Sequence, residues 1–200
     1  YGMLSSYFRG ATGEELAVGM KVLLHVTVTY HELYGLSLRI VDIDPLYTLG
    51  DLARQRMQTI AQLREDGVFD LNRELGIPEV PQRIAVISSP QAAGYQDFMK
   101  ELGASPYRFD VTLFGAVMQG HGAETSIIGA LDAVADRAEE FDAAVIIRGG
   151  GSQSDLSFLN SYLLSFHIAQ FPLPVIAGLG HDKDQSVVDM VCLLYTSPSP

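Results

Sequence analysis

Ala143-Ala144-Val145-Ile146-Ile147-Arg148-Gly149-Gly150-Gly151-Ser152 begins as a buried strand, then presents one charge and three residues without side chains. The first five residues are apolar and rich in β-branched side chains, the pattern of a strand covered on both faces. Arg148 stands where that strand should end. Glycine alone lets successive backbone N–H groups turn toward one anion. A helical pattern from Ser154 would add its own open N–H groups and about half a positive charge at its start. Strand, Arg-Gly-Gly-Gly-Ser and helix together describe a cradle for a phosphate or carboxylate, with Gly149, Gly150, Gly151 and Ser152 as its backbone and Arg148 as its cation. The plainer reading is a glycine-rich turn of no chemical consequence, but such a turn rarely needs three glycines and does not need the arginine.

Working outward from this stretch, the chain from Arg83 alternates strand with helix. Ile84–Ile87 reads as a strand, followed by a helix opening at Ala92-Ala93-Gly94 and running through Leu102. Val111–Ala116 is a second strand, and a long helix follows over Ala123–Glu140, with Ile127, Ile128, Leu131 and Val134 inward. Ala144–Ile147 is the third strand, Asp155–Gln170 an apolar helix and Val175–Leu179 the fourth strand. This alternation predicts an α/β fold with a parallel sheet covered on both faces. Ligands of such sheets bind at the carboxyl ends of the strands. Those ends carry Ser88-Ser89, Gln119-Gly120, Arg148 with its glycines, and Gly180-His181-Asp182-Lys183-Asp184. His181 with Asp184 three residues on has the composition of an acid/base group and its orienting carboxylate. Asp97, one turn into the first helix, is expected near the same edge. Each has a structural alternative: Asp184 as the N-cap of a helix over Ser186–Val191, and Asp97 as a solvated helix residue.

Before this domain the rhythm is different. Val22, Leu24, Val26 and Val28 alternate as in a half-buried strand, and Leu36–Ile43 alternates again after Gly35. Tyr1–Arg9 is read as an earlier strand. Three strands are too few to close a barrel, so residues 1–46 read as a partial antiparallel barrel, with the oligonucleotide-binding (OB) type as one candidate. Tyr7, Phe8, Tyr30 and Tyr34 are candidates to stack on bases, although aromatics in short strands commonly belong to a core. His25 and His31 have no partners at ligand spacing and read as structural or surface residues. Residues 47–80 form a helical linker: Leu52, Met57, Ile60 and Leu63 recur at helical spacings, and Gly67 with Pro78 and Pro81 closes the segment.

The whole composition sets bounds. Of 200 residues, 48% are hydrophobic and 18% charged, enough for a sizeable core. No run approaches the roughly 20 apolar residues of a membrane span, so no membrane role is expected. The single cysteine, Cys192, rules out an internal disulfide and fits a reducing, cytoplasmic compartment. A net charge of -11 argues against nucleic-acid binding through bulk basicity, so a polyanion would be held by a few placed groups.

Taken together, several blocks resemble the exodeoxyribonuclease VII large-subunit family along nearly the whole chain. They are Ile84–Ser89 with Asp97; Val117-Met118-Gln119-Gly120 with Ala123; Arg148–Ser152 with Asp155-Leu156; and Pro174-Val175-Ile176 leading to Gly180-His181 and Asp184. Gly19–Tyr30 with Gly35 resembles the end of the family's N-terminal OB barrel, and Glu65–Asp70 its linker. The resemblance implies a nuclease that hydrolyses single-stranded DNA from either end to oligonucleotides. It places the family's essential residues at Asp97, Arg148, His181 and Asp184. Arg148 and the glycine N–H groups would stabilise charge on the equatorial phosphate oxygens. His181 would protonate the leaving oxygen or activate water, with one of the two aspartates orienting it or acting as base. The same aspartates and histidine equally suit Mg²⁺, although the family is generally described as metal-independent.

This chain departs from the family pattern at Ser154 and Asp182, where glutamate is common. It also departs after Val191, where the family continues into a coiled-coil region that recruits small subunits. Residues 81–191 therefore read as the catalytic domain and 192–200 as a non-native tail, leaving Cys192 without a functional role. Two rival functions remain at this stage. A non-catalytic single-stranded DNA-binding module explains the barrel but leaves His181 and Asp184 without a task. A kinase-like phosphate-binding domain would place an aspartate among the glycines, and Gly149-Gly150-Gly151 has none.

Overall fold

The computed structural model describes residues 2–13, 15–32, 34–120, 122–148, 157–179 and 185–195. The chain divides into two compact units at Met57 and Gln58. The first begins with helix α1 (Gly2–Thr12), where a strand was expected over Tyr1–Arg9. The period explains the difference. Leu4, Phe8 and Thr12 recur every fourth residue and turn inward, Phe8 becomes fully buried, and the Thr12 hydroxyl donates to the Phe8 carbonyl at 2.8 Å. Strands β1 (Leu23–His31) and β2 (Gly35–Asp44) pair antiparallel, from Leu23 opposite Asp44 to His31 opposite Gly35. Gly35 takes φ +72° at the turn, a conformation that costs glycine little. The register shifts between His25 and Val26, and beyond that bulge the alternation of burial stops. Val28, Leu36 and Leu38 are all more than half exposed.

Asp44-Pro45 does more than end β2. The Asp44 carboxylate accepts from the Leu46 N–H at 2.9 Å and Pro45 occupies the first helical position, so the pair starts helix α2 (Pro45–Glu65). Within the first unit, Asp51 is nearly buried on this helix. Its carboxylate accepts from Arg54 at 2.5 Å and Gln55 at 2.6 Å.

The second unit is the expected α/β domain. Strands β3 (Arg83–Ser88), β4 (Asp110–Gly115), β5 (Ala143–Ile147) and β6 (Val175–Gly178) lie parallel, with the two-residue β7 (Leu194–Tyr195) beside β6. Their spatial order is β4-β3-β5-β6-β7. Ile84 and Val86 point to one face, where they meet Tyr95, Phe98 and Leu102 of helix α3 (Ala93–Ala104). Ala85 and Ile87 point to the other, onto α4 (Ala123–Ala135), α5 (Tyr162–Ala169) and α6 (Val187–Val191). Period 2 in the strands thus meets period 3.6 in the helices. Burying each large aliphatic side chain contributes about 1.5–3 kcal/mol.

Two helices are shorter than the sequence suggested. The expected helix over Ala123–Glu140 stops at Ala135 and resumes as a 3-10 turn over Ala138–Glu140, because Arg137 leaves the helical region at φ -129°. The segment expected as a helix from Asp155 is described from residue 157 onward. It is a 3-10 turn over Ser157–Asn160 and then α5, with the Ser161 hydroxyl capping α5 by accepting from the Leu164 N–H.

Polar groups fasten the sheet at its amino edge. Asp142, just before β5, accepts from the backbone N–H groups of Gln82 and Arg83 at 2.9 Å each and from the Arg83 guanidinium at 2.6 Å. Asn72, fully buried after α2, spans the approach to β6. Its amide donates to the carbonyls of Phe171 at 3.3 Å and Leu173 at 2.8 Å, and its oxygen accepts from the Val175 N–H at 2.9 Å.

Candidate active site

With β3 at the point where the chain first crosses outward to β4 and later returns to β5, the connections after β3 and β5 leave the sheet toward opposite faces. Such a switch point opens a crevice at the carboxyl ends of the two strands. Ser88 closes β3 and Arg148 follows β5 there.

Arg148 is partly buried and its backbone is held on three sides. Its N–H donates to the Gly178 carbonyl of β6 at 3.2 Å. The preceding carbonyl, that of Ile147, accepts the fully buried Ser88 hydroxyl at 2.8 Å. Its own carbonyl lies against the Cα of Gly94 in the first turn of α3, so closely that a Cβ on Gly94 would stand 2.5 Å from that oxygen. Asp97 lies three residues beyond Gly94, on the same side of α3, and is exposed. Two of the four candidate catalytic residues are thereby linked through one helix turn. His181, Asp184 and the cradle residues Gly149, Gly150, Gly151 and Ser152 lie outside the described residues.

Two strand ends supply helix starts without side-chain caps. The N-cap of α3 is Ala92 and that of α4 is Gly122, and neither has a side chain that caps its helix. Gly120 turns the β4 end with φ +79°, and the Val117 N–H there donates to the Ser126 hydroxyl at 2.9 Å. The Ala123 N–H donates to the Gly120 carbonyl at 3.1 Å, and the opening N–H groups of both helices meet no N-cap side chain at the edge where an anion would lie. At α6 the cap is Ser186, whose hydroxyl and N–H both engage Asp189 in a reciprocal box. The N-cap of α6 is thus Ser186, where the sequence offered Asp184, itself outside the described residues.

Among the described residues, no three histidine, cysteine, aspartate or glutamate side chains stand together as metal ligands would. Cys192 is buried, and burial, with the Asp189 charge adding to it, pushes its thiol well above the ordinary range. It is a core residue without thiolate chemistry. Of the aromatic candidates in the first unit, Phe8 is fully buried and cannot stack on a base, whereas Tyr7, Tyr30 and Tyr34 expose their rings. His25 and His31 are exposed, and His31 lies 4.9 Å from the Tyr34 ring. No helix among the described residues is long and apolar enough to cross a membrane.

Ser88 was legible only as a polar strand end and Gly94 only as one of three small residues opening a helix. The available signal was a hydroxyl at the end of an otherwise apolar strand, which must find an acceptor when buried.

Comparison with known proteins places these features in a wider setting. Residues 68–199 match the family described as "Exonuclease VII, large subunit". The exodeoxyribonuclease 7 large subunit of Deinococcus radiodurans is 41% identical over 98% of this chain and 49% of its own length. That of Ruthia magnifica is 35% identical over 91% of the chain and 39% of its own length. That of Campylobacter lari is 34% identical over 76% of the chain and, again, 39% of its own length. The chain thus spans about half or less of these relatives.

Proposed function

The chain belongs to the exonuclease VII large-subunit family, and from that premise we propose that it hydrolyses phosphodiester bonds of single-stranded DNA from either end, releasing oligonucleotides in the cytoplasm. The observation that carries this reading is Arg148, fixed at a switch-point crevice with Asp97 on the adjoining helix. Hydrolysis of a phosphodiester places charge on the equatorial and leaving oxygens. Arg148 and the N–H groups of Gly149–Ser152 would act on the former, stabilising the charge that develops there. His181 transfers a proton at the leaving oxygen or the attacking water, and Asp97 or Asp184 holds the imidazole or serves as base. Asp97 and Asp184 also offer the carboxylate oxygens that Mg²⁺ takes, and a bound ion would supply Lewis-acid polarisation of the phosphoryl oxygen.

Strands β1 and β2 form the end of an OB-type barrel in this reading, with Tyr7, Tyr30 and Tyr34 as stacking platforms. Residues 1–46 would then guide the strand, 47–80 connect and 81–191 cleave, while residues 192–200 take no part. Its protein partner in this reading is a small subunit, as the large-subunit name of its relatives implies.

The test is turnover of end-labelled single-stranded DNA by the full-length protein with its small subunit. His181→Ala should lower kcat by about a thousandfold, within the range of general acid–base catalysis, with DNA affinity within about threefold of the parent. Activity that persists in chelator supports direct acid/base chemistry, and activity restored only by Mg²⁺ assigns the carboxylates to the ion. Near-parental turnover in His181→Ala would remove the histidine from the mechanism.

A further inference from the structure

The β3–β5 ladder runs from Ile84 opposite Ala143 to Ile87 opposite Ile146 and then stops. One residue on, backbone pairing on that side is replaced by a side chain. The Ser88 carbonyl continues the ladder to β4, accepting from the Ala116 N–H at 2.9 Å, while its hydroxyl reaches across to the Ile147 carbonyl at 2.8 Å. A hydroxyl has one proton to give, and the other acceptor near Ser88, the Ser89 carbonyl, is 3.5 Å away. On the far side of the same peptide, the Arg148 N–H donates to Gly178. The peptide joining Ile147 to Arg148 is thus gripped at its oxygen from β3 and at its hydrogen from β6. The next peptide is set by the contact of the Arg148 carbonyl with Gly94. With both flanking peptides fixed, the direction of the Arg148 Cα–Cβ bond is fixed too.

We propose that Ser88 is a positioning residue for Arg148, its hydroxyl aiming the guanidinium at the phosphate through the Ile147 carbonyl. The proposal rests on the reading of Arg148 as the phosphate-side cation. Removing the hydroxyl leaves a carbonyl without its donor at the one point where β5 has no ladder partner on that side. The peptide can then rotate, and the arginine moves with it. A displacement of about 1 Å in a catalytic group can cost on the order of a hundredfold in rate.

The first measurement needs no turnover. In the ¹⁵N-labelled 200-residue chain, the Arg148 Nε–Hε resonance is identified by its loss in Arg148→Ala. Ser88→Ala should shift and broaden it while the other arginine resonances stay in place, and Ser88→Thr, which keeps the hydroxyl, should restore it. In the full-length protein with its small subunit, Ser88→Ala should lower kcat by about tenfold to a hundredfold, with KM within about twofold. Ser88→Thr should recover most of that loss. Should Ser88→Ala fail to fold, Ser88→Cys, a weaker donor of similar size, should displace the resonance part of the way. An Arg148 resonance unmoved by loss of the hydroxyl, or moved equally by Ser88→Thr, overturns the proposal. Near-parental turnover in Arg148→Ala alongside a resonance displaced in Ser88→Ala would sink the phosphate reading of Arg148 and leave the positioning intact.

Discussion

Gly94 is where the geometry leaves the least room. The nearest atoms to an added Cβ are the Arg148 carbonyl oxygen at 2.5 Å and its carbon at 3.2 Å, with the Ile147 Cγ2 also at 3.2 Å. Backbone atoms cannot swing aside as a lysine tip does, so a branched residue must push α3 away from β5. Gly94→Val should cost about 1–3 kcal/mol, the usual penalty of overpacking, read as a lower urea midpoint at unchanged m-value. The sequence made Arg148 and Asp97 legible because a charge at a strand end and a carboxylate one turn into a helix are conspicuous by type. Gly94 was not legible, because close approach between backbones leaves no compositional trace beyond smallness. Ser88 lay between the two cases, visible as a hydroxyl but without its partner 59 positions later.

Strands β3–β6 were legible to within about a residue, because Ala143–Ile147 and Ile84–Ser88 are buried along their whole length and leave few alternatives to a central strand, whereas β7 fell in a stretch read as a tail. Helix α1 was not, since Tyr1–Arg9 mixes aromatic and small residues and only the Leu4-Phe8-Thr12 spacing separates helix from strand. The early end of α4 also escaped. Arg137 there pairs with Glu140 at 2.6 Å and lies over the rings of Phe114 and Phe141, contacts made with residues distant or later in sequence that its own helix pattern does not announce. At the amino edge, Asp142 joins β3 to β5. The Arg83 guanidinium, together with the two backbone N–H groups, holds its carboxyl down to about 2, from an ordinary value of 3.8. A lowered folded-state value stabilises the protein above the unfolded value, and that contribution fades as pH falls from about 4 through 2. Asp142→Asn should therefore lower stability at pH 7 by about 1–2 kcal/mol, given a half-exposed arginine partner. The loss relative to the parent should shrink across that acid window, as urea titrations at pH 7, 4 and 2.5 would record.

At the scale of the molecule, the change of rhythm at Arg83 announced the α/β architecture, and the parallel sheet followed from it. What the rhythm could not supply was the strand order, because order is set by which face each connection takes. The order β4-β3-β5-β6 is nevertheless what puts Ser88 beside Arg148. The border of this unit was harder to see, since Gly67 and the prolines at 78 and 81 punctuate the chain as a linker does. Asn72 gives that stretch another meaning. Its three hydrogen bonds supply groups before β6 that have little access to water, and Leu63, Val68 and Phe69 belong to the same core. A chain cut at residue 81 would strip away these side chains and orphan the Phe171 and Leu173 carbonyls and the Val175 N–H, each at about 1–3 kcal/mol. A chain beginning at residue 58 should melt cooperatively and resist protease, whereas one beginning at 81 should be digested within the dead time of the same assay. For anyone grafting, trimming or recombining this chain, the inheritable module starts in the middle of a helix, well upstream of the prolines.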